Sequence, residues 1–149
     1  MAVANKFSWL HFTDLHVGMF GSSYLYPNVE EILFEDLTKQ HKKSGPWDAI
    51  FFTGDLVQKG LEKEFEEFDN KLGRLMGHLK SLGSNPIFVA IPGNHDLVRP
   101  DPDGTLVAAL ATWGTNPKIR ETFWTKDDSD YRQGVHAAFS NWTKWSQQA

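Results

Sequence analysis

Ile87 to Asp96 reads IFVAIPGNHD, and the architecture follows from it. Ile87, Phe88, Val89, Ala90 and Ile91 form an unbroken apolar run between Pro86 and the Pro92-Gly93 pair. The run is too short for a helix, and β-branched side chains bracketed by Pro and Gly favour a strand. A strand apolar on both faces suits a buried parallel sheet better than a half-exposed antiparallel one. Directly after it come Asn94, His95 and Asp96, polar groups placed where such a sheet presents its carboxyl ends.

Two upstream runs share this character, Phe7 to Phe12 (FSWLHF) and Asp48 to Thr53 (DAIFFT). Between them Pro27 is placed as the N1 residue of a helix carrying Val29, Ile32, Leu33 and Leu37. That helix should end near Lys42, Lys43 and Ser44-Gly45-Pro46, with basic side chains at its negative pole. Before the third run, Leu61, Phe65, Phe68, Leu72, Leu75, Met76, Leu79 and Leu82 recur at helical steps up to Gly83. The order β-α-β-α-β predicts an α/β fold with parallel strands and right-handed crossovers. After Asp96, Arg99 to Gly104 reads as a loop and Thr105–Trp113 and Tyr131–Trp145 as helices, with no further strand.

A length of 149 residues fits one domain. Hydrophobic residues at 40% and charged residues at 23% are those of a globular protein and not of a disordered one. A net charge of -4 argues against a broad basic surface for nucleic acid but leaves room for a local basic groove. No apolar run approaches the roughly 18–20 residues that cross a bilayer, so no membrane partner is expected. The opening MAVANKFSWLHF lacks the charged start, apolar core and cleavage site of a secretory leader. There is no cysteine, so any transition metal must be held by His, Asp, Glu or Asn, and a cytoplasmic setting is expected.

Each strand hands over chemistry at its carboxyl end. Thr13-Asp14-Leu15-His16 follows the first, Gly54-Asp55 the second and Pro92-Gly93-Asn94-His95-Asp96 the third. Taken singly, each is most often a turn or a cap. Three in succession at the ligand-collecting edge of one sheet point instead to a metal centre. Oxygen and imidazole donors without thiolate suit divalent ions such as Mn, Fe, Zn or Ni. Asp14 and His16 would point to the same side of an extended segment. Asp55 has two oxygens with which to bridge a pair of ions about 3.5–4 Å apart.

D-x-H, then G-D, then G-N-H-D after successive strands resembles the calcineurin-like metallophosphoesterase superfamily, over Phe7 to about Asp96. The resemblance implies a three-layer α/β fold and metal-dependent hydrolysis of phosphodiesters or monoesters with two divalent ions. It implies that Asp14 and His16 hold the first ion, that Asp55 bridges both and that Asn94 holds the second. His95 would stand beside the substrate as proton donor or phosphate contact, with Asp96 orienting its ring and fixing its tautomer. A hydroxide bridging the two ions would attack phosphorus in line, and His95 would protonate the leaving alkoxide.

Two features depart from that pattern. The family completes its ligand set with a later His and a G-H-x-H pair. After His95 this sequence has only His136, in a helical pattern and read as an ordinary helix-face residue. His11, His41 and His78 also lack ligand spacing, and His41 is accounted for by its place near a helix end. The expectation is a single truncated domain over 1–149, with a core over 7–96 and an aromatic-rich helical tail over 105–146. It would carry the N-terminal half of a site, bind one ion or none, and turn over slowly or not at all in isolation. Trp113, Trp124, Trp142 and Trp145 crowd the tail, and a missing C-terminal half or a second copy is expected to cover them and the open sheet edge. A non-catalytic scaffold with a degenerate site is the competing expectation.

The second departure is Gly54 to Gly60, G-D-L-V-Q-K-G, where phosphoprotein phosphatases of the family carry G-D-x-x-D-R-G. With Gln58 and Lys59 at the Asp and Arg positions, bidentate phosphate recognition is lost. Other phosphoester hydrolases, acting on nucleotides or nucleic acid among other substrates, remain. Lys59 itself reads as a solvated loop charge.

Overall fold

The computed structural model describes residues 6–19 and 22–148, with backbone alone for 22–27; residues 1–5, read above for a leader, lie outside the described residues. Strands β1 (Trp9–Phe12), β2 (Ala49–Thr53) and β3 (Ile87–Ile91) lie inside the three apolar runs. They form one parallel sheet in the order β1-β2-β3, with Ala49 between Trp9 and Ile87. The crossovers are α1 (Ser22–Ser44) and α2 (Glu62–Ser81).

α1 starts at Ser22, so Pro27 lies inside the helix and not at its N1 position. Ser22 and Ser23 are helix-starting residue types that a reading of apolar periodicity passes over. The other end agrees with expectation, with His41, Lys42 and Lys43 in the last turn. In α2, Phe65, Phe68, Leu75 and Leu79 of the stripe are buried. The chain leaves that helix through Gly83 at φ 91°, a conformation glycine adopts at no steric cost.

Alternate side chains face opposite sides of the sheet. Leu10, Phe12, Ile50, Phe52, Phe88 and Ala90 join a core with Leu37 of α1 and Phe65, Phe68, Leu75 and Leu79 of α2. Phe52 stacks on Phe12 at 5.2 Å between ring centres and meets Phe68 edge-on at 5.5 Å. Burying each such side chain contributes about 1.5–3 kcal/mol. On the opposite face Trp9, Ile87, Val89 and Ile91 are exposed. The expected burial on both faces therefore fails for β1 and β3. The strand order steps in one direction, so right-handed crossovers place both helices on the same side. Of the three layers expected, the described residues supply the sheet and one helical layer.

The tail consists of α3 (Thr105–Ala111), α4 (Pro117–Thr125), α5 (Asp130–Ala138) and α6 (Ser140–Ser146). α4 has no counterpart in the sequence reading, although Asn116 caps it by accepting from the Lys118 amide at 3.2 Å and Pro117 opens its first turn. Tyr131–Trp145, expected as one helix, breaks at Phe139, and α6 packs back on α2. Trp142 and Trp145 are buried; Trp145 stacks on Phe65 at 5.5 Å, and its Nε1–H donates to Asp69 at 2.7 Å. These two tryptophans are covered by the chain itself, contrary to expectation. Trp124 stays exposed, leaning on Phe123 and Trp113.

Candidate metal centre

The loops beyond the three strands lie against one another. The Asp14 amide donates to Gly54 O at 3.2 Å, His16 to Asp55 O at 2.9 Å and Val17 to Leu56 O at 2.9 Å. Asp14, His16 and Asp55 have φ of 57°, 48° and 54°. Left-handed backbone costs a non-glycine residue roughly 1–2 kcal/mol, so three such residues at one place are strain that the surrounding bonds must hold. The Asp14–His16 segment is thus not extended. Left-handed turns, and not a two-residue repeat, decide where its side chains go.

His16, Asp55 and His95 each present a ligand atom within 4.8 Å of the others. The two imidazoles meet edge-to-face at 4.7 Å. Asp14 stands at the rim, its Oδ1 3.6 Å from His16 Nε2 and its Oδ2 accepting from Thr13 Oγ1. Asp55 Oδ1 accepts from the His95 amide at 2.8 Å, which ties the second loop to the third. Gly93 permits that approach, because a Cβ there would lie 2.3 Å from Asp55 Oδ1. Asn94 is exposed on the same turn, its side chain without a hydrogen bond among the described residues.

His95 Nδ1 lies 2.9 Å from the Gln58 carbonyl oxygen. A carbonyl only accepts, so Nδ1 carries the proton and Nε2 is left to act. The Gln58 side-chain amide is 3.2 Å from the same nitrogen. Facing a donor, it would have to present its oxygen, and the amide nitrogen would then take the buried place where Oε1 now has no partner, so the ring is held by the Gln58 carbonyl. Asp96, expected to fix this tautomer, is committed elsewhere. It is fully buried, Oδ1 accepting from the Val57 amide at 2.9 Å and Oδ2 from the Gly93 amide at 2.8 Å. Asp96 therefore locks two loops through main-chain donors, and Gln58 holds the ring.

Gln58 was legible only as a departure from an Asp, and nothing in the sequence signals its carbonyl's reach. Glu64 was missed as well. Buried at the start of α2, it accepts from the Lys59 and Leu61 amides at 2.9 and 3.1 Å and packs on Gly18, where a Cβ would lie 2.5 Å from Oε1. Leu61 has no capping side chain, so the sequence lacks the helix-start signature that would have marked Glu64.

His16 Nδ1 is buried with no hydrogen-bond partner. Such an atom costs about 1–3 kcal/mol unless something satisfies it, and imidazole beside the Asp55 carboxylate is a donor set that suits a divalent cation. The donor set fits a metal. The other histidines do not share this setting. His11 Nε2 pairs with Thr53 Oγ1 at 2.6 Å, His78 stacks on Phe34 at 4.5 Å, and His136 is exposed on α5. His41, in the last turn of α1 as expected, packs against Trp47 at 5.4 Å with Nε2 buried and unpartnered, away from the carboxyl end of any of the three strands.

A parallel sheet whose three strand ends pool imidazole and carboxylate groups defines an α/β protein with a group that could hold a metal ion. The family model for calcineurin-like phosphoesterases matches residues 7–146, and the chain belongs to that family. The match runs on through the helical tail, past Asp96 where the sequence resemblance stopped. No curated protein matches the chain. Membership implies metal-dependent phosphoester hydrolysis, with divalent ions as cofactors and phosphoesters as substrates. No helix among the described residues is long and apolar enough to cross a membrane.

Proposed function

We propose that this chain hydrolyses phosphodiesters or monoesters at the strand-end site, with Asp14, His16, Asp55 and Asn94 as metal ligands and His95 as the acid. The observation that carries this reading is the convergence of His16, Asp55 and His95, one ligand atom from each within 4.8 Å of the others; His16 also has a buried Nδ1 without a hydrogen-bond partner. When bound, two divalent ions of the Mn, Fe, Zn or Ni type supply Lewis acidity, activating a water and offsetting phosphoryl charge.

The chain's own residues do the rest. Asp55 engages the His95 amide through Oδ1, which leaves its second oxygen for ligation. His95, with Nδ1 held on Gln58, acts through Nε2. Protonated there, it gives its proton to the departing alkoxide oxygen and is reprotonated from solvent, a contribution of about 10²–10⁴-fold. Asp96 is a positioning residue, fixing the Gly93 and Val57 backbone on which Asp55 and His95 ride. The same reading takes 1–149 as one cytoplasmic domain carrying the N-terminal half of a site. A His-bearing segment or a second copy, seated on the exposed Trp9, Ile87 and Val89 face, would complete the ligand set.

One observation favours a second reading: His95 lies at ligand distance from His16 and Asp55. His95→Asn separates the two. If His95 is the acid, the variant keeps manganese binding by calorimetry and keeps turnover of a 4-nitrophenyl phosphodiester, whose leaving group needs no proton. Turnover of a methyl phosphodiester then falls about 100-fold or more. If manganese binding and both activities fall together, His95 is a ligand. A wild-type chain that is inert with every divalent ion, alone and with the completing segment, makes it a scaffold.

A further inference from the structure

A cavity of about 360 Å³ opens beside His95, lined by Gln58, Lys59, Leu61, His95, Val98 and Arg99. Its walls come from two different loops, and they are fixed to each other. Gly60 (φ 65°) packs so closely on Leu97 that a Cβ would lie 2.4 Å from the Leu97 carbonyl carbon. The tail braces both walls: Asn141 of α6 donates to Gly60 O at 2.9 Å, and the Val98 amide donates to Ala138 O of α5 at 2.9 Å. His16 and Asp55 do not line this cavity, so a molecule in it meets His95 apart from the two residues that converge with it at the strand ends.

Lys59 and Arg99 bring two exposed cations to the cavity, and neither is paired with a carboxylate among the described residues. In a chain of net charge -4, two unpaired cations on one pocket make a local field that selects anions. Leu61 and Val98 add apolar surface beside them. Lys59 is exposed, as a solvated loop charge is expected to be, and Arg99 joins it from another loop.

We propose that this cavity is a substrate subsite for a second phosphate and its adjoining apolar body. The preferred substrates are then phosphoesters whose organic portion carries a second phosphate beside an apolar group, and not simple alkyl or aryl esters. The proposal rests on the phosphoesterase reading for the scissile group, but the affinity of the cavity is testable without metal or turnover.

The test titrates adenosine 5′-monophosphate and adenosine into chelator-treated protein, followed by NMR shifts. The monophosphate is expected to bind about tenfold more tightly than adenosine, with an affinity that falls as salt is raised. Lys59→Ala and Arg99→Ala should each weaken it about three- to tenfold, while Lys118→Ala, a cation removed from α4, leaves it unchanged. Equal affinity for the two probes, or equal loss in Lys118→Ala, overturns the subsite. With metal restored, both cavity variants should raise KM for a dinucleotide bearing a terminal phosphate and leave the unphosphorylated dinucleotide unchanged. If both dinucleotides suffer alike, the cations serve the scissile phosphate and the subsite falls. A wild-type protein that binds the monophosphate yet hydrolyses nothing overturns the phosphoesterase reading and leaves the subsite standing.

Discussion

Asp14, His16 and Asp55 occupy left-handed backbone that glycine would take up freely, and the reason for keeping side chains there is chemical. Asp14 isolates the effect, because its side chain is 62% exposed and little packing depends on it. Asp14→Gly exchanges relief of about 1–2 kcal/mol of strain for the 0.5–1 kcal/mol entropic cost of glycine, so the metal-free protein should be as stable or slightly more so. Its manganese affinity should nonetheless fall, read by calorimetry beside urea unfolding. A clear loss of stability would mean that the strain is not there. Asp96 should behave in the opposite way. Asp96→Ala strips the acceptor from two amides around a fully buried carboxylate and should cost about 2–5 kcal/mol in urea unfolding. Asp96→Asn, keeping one acceptor, should recover part of that. An alanine variant as stable as wild type would mean that water replaces the carboxylate. The membership of the site was legible because residue type and position after a strand are properties of sequence. Its geometry was not. The Gln58 carbonyl on His95 and the Asp96 bond to Val57 join residues 37 and 39 apart, and the Asp96 bond to Gly93 closes a turn that no residue pattern marks.

At the scale of elements, β1 to β3 and α2 were readable because an apolar run or a helical stripe repeats along the chain itself. α4 was not, since its signal is a cap, Asn116-Pro117, followed by few apolar residues. The break at Phe139 was not either, because Val135, Ala138, Phe139 and Trp142 keep a helical spacing straight across it. That break redirects α6, so that Trp145 reaches Phe65, Phe68 and Phe88 across two other elements. Trp145→Ala should therefore cost about 3–5 kcal/mol, the cavity plus the lost Asp69 bond. Trp124→Ala, removing a side chain that is 67% exposed, should stay within about 1 kcal/mol. Chemical denaturation of the pair decides whether the tail is part of the folded core. Similar small losses would mean that α6 lies loosely on α2, and the bracing of Gly60 by Asn141 would then lose its footing.

For the whole molecule, the candidate metal centre ties together the loops that follow all three strands. His16, Asp55 and His95 come from the first, second and third strand ends, and an unfolded chain cannot hold them within 4.8 Å of one another. A cation that binds this group therefore binds only the folded protein, and by mass action it stabilises the fold by about 2.7 kcal/mol when present at a hundred times its Kd. Because the bond set spans the sheet, that gain should appear as one rise of the entire unfolding transition, not as the sharpening of a local step. Manganese should raise Tm in proportion to the logarithm of its concentration, and a chelator should return it. Asp55→Ala should abolish the rise, having lost a ligand and the acceptor for the His95 amide. Lys59→Ala, which touches only the neighbouring cavity, should preserve it in full. If manganese left Tm unmoved in wild-type protein, the buried His16 Nδ1 would need some other partner. If it raised Tm equally in wild type and in Asp55→Ala, the ion would be bound elsewhere on an acidic surface, and the strand-end group would lose its claim to be the metal centre.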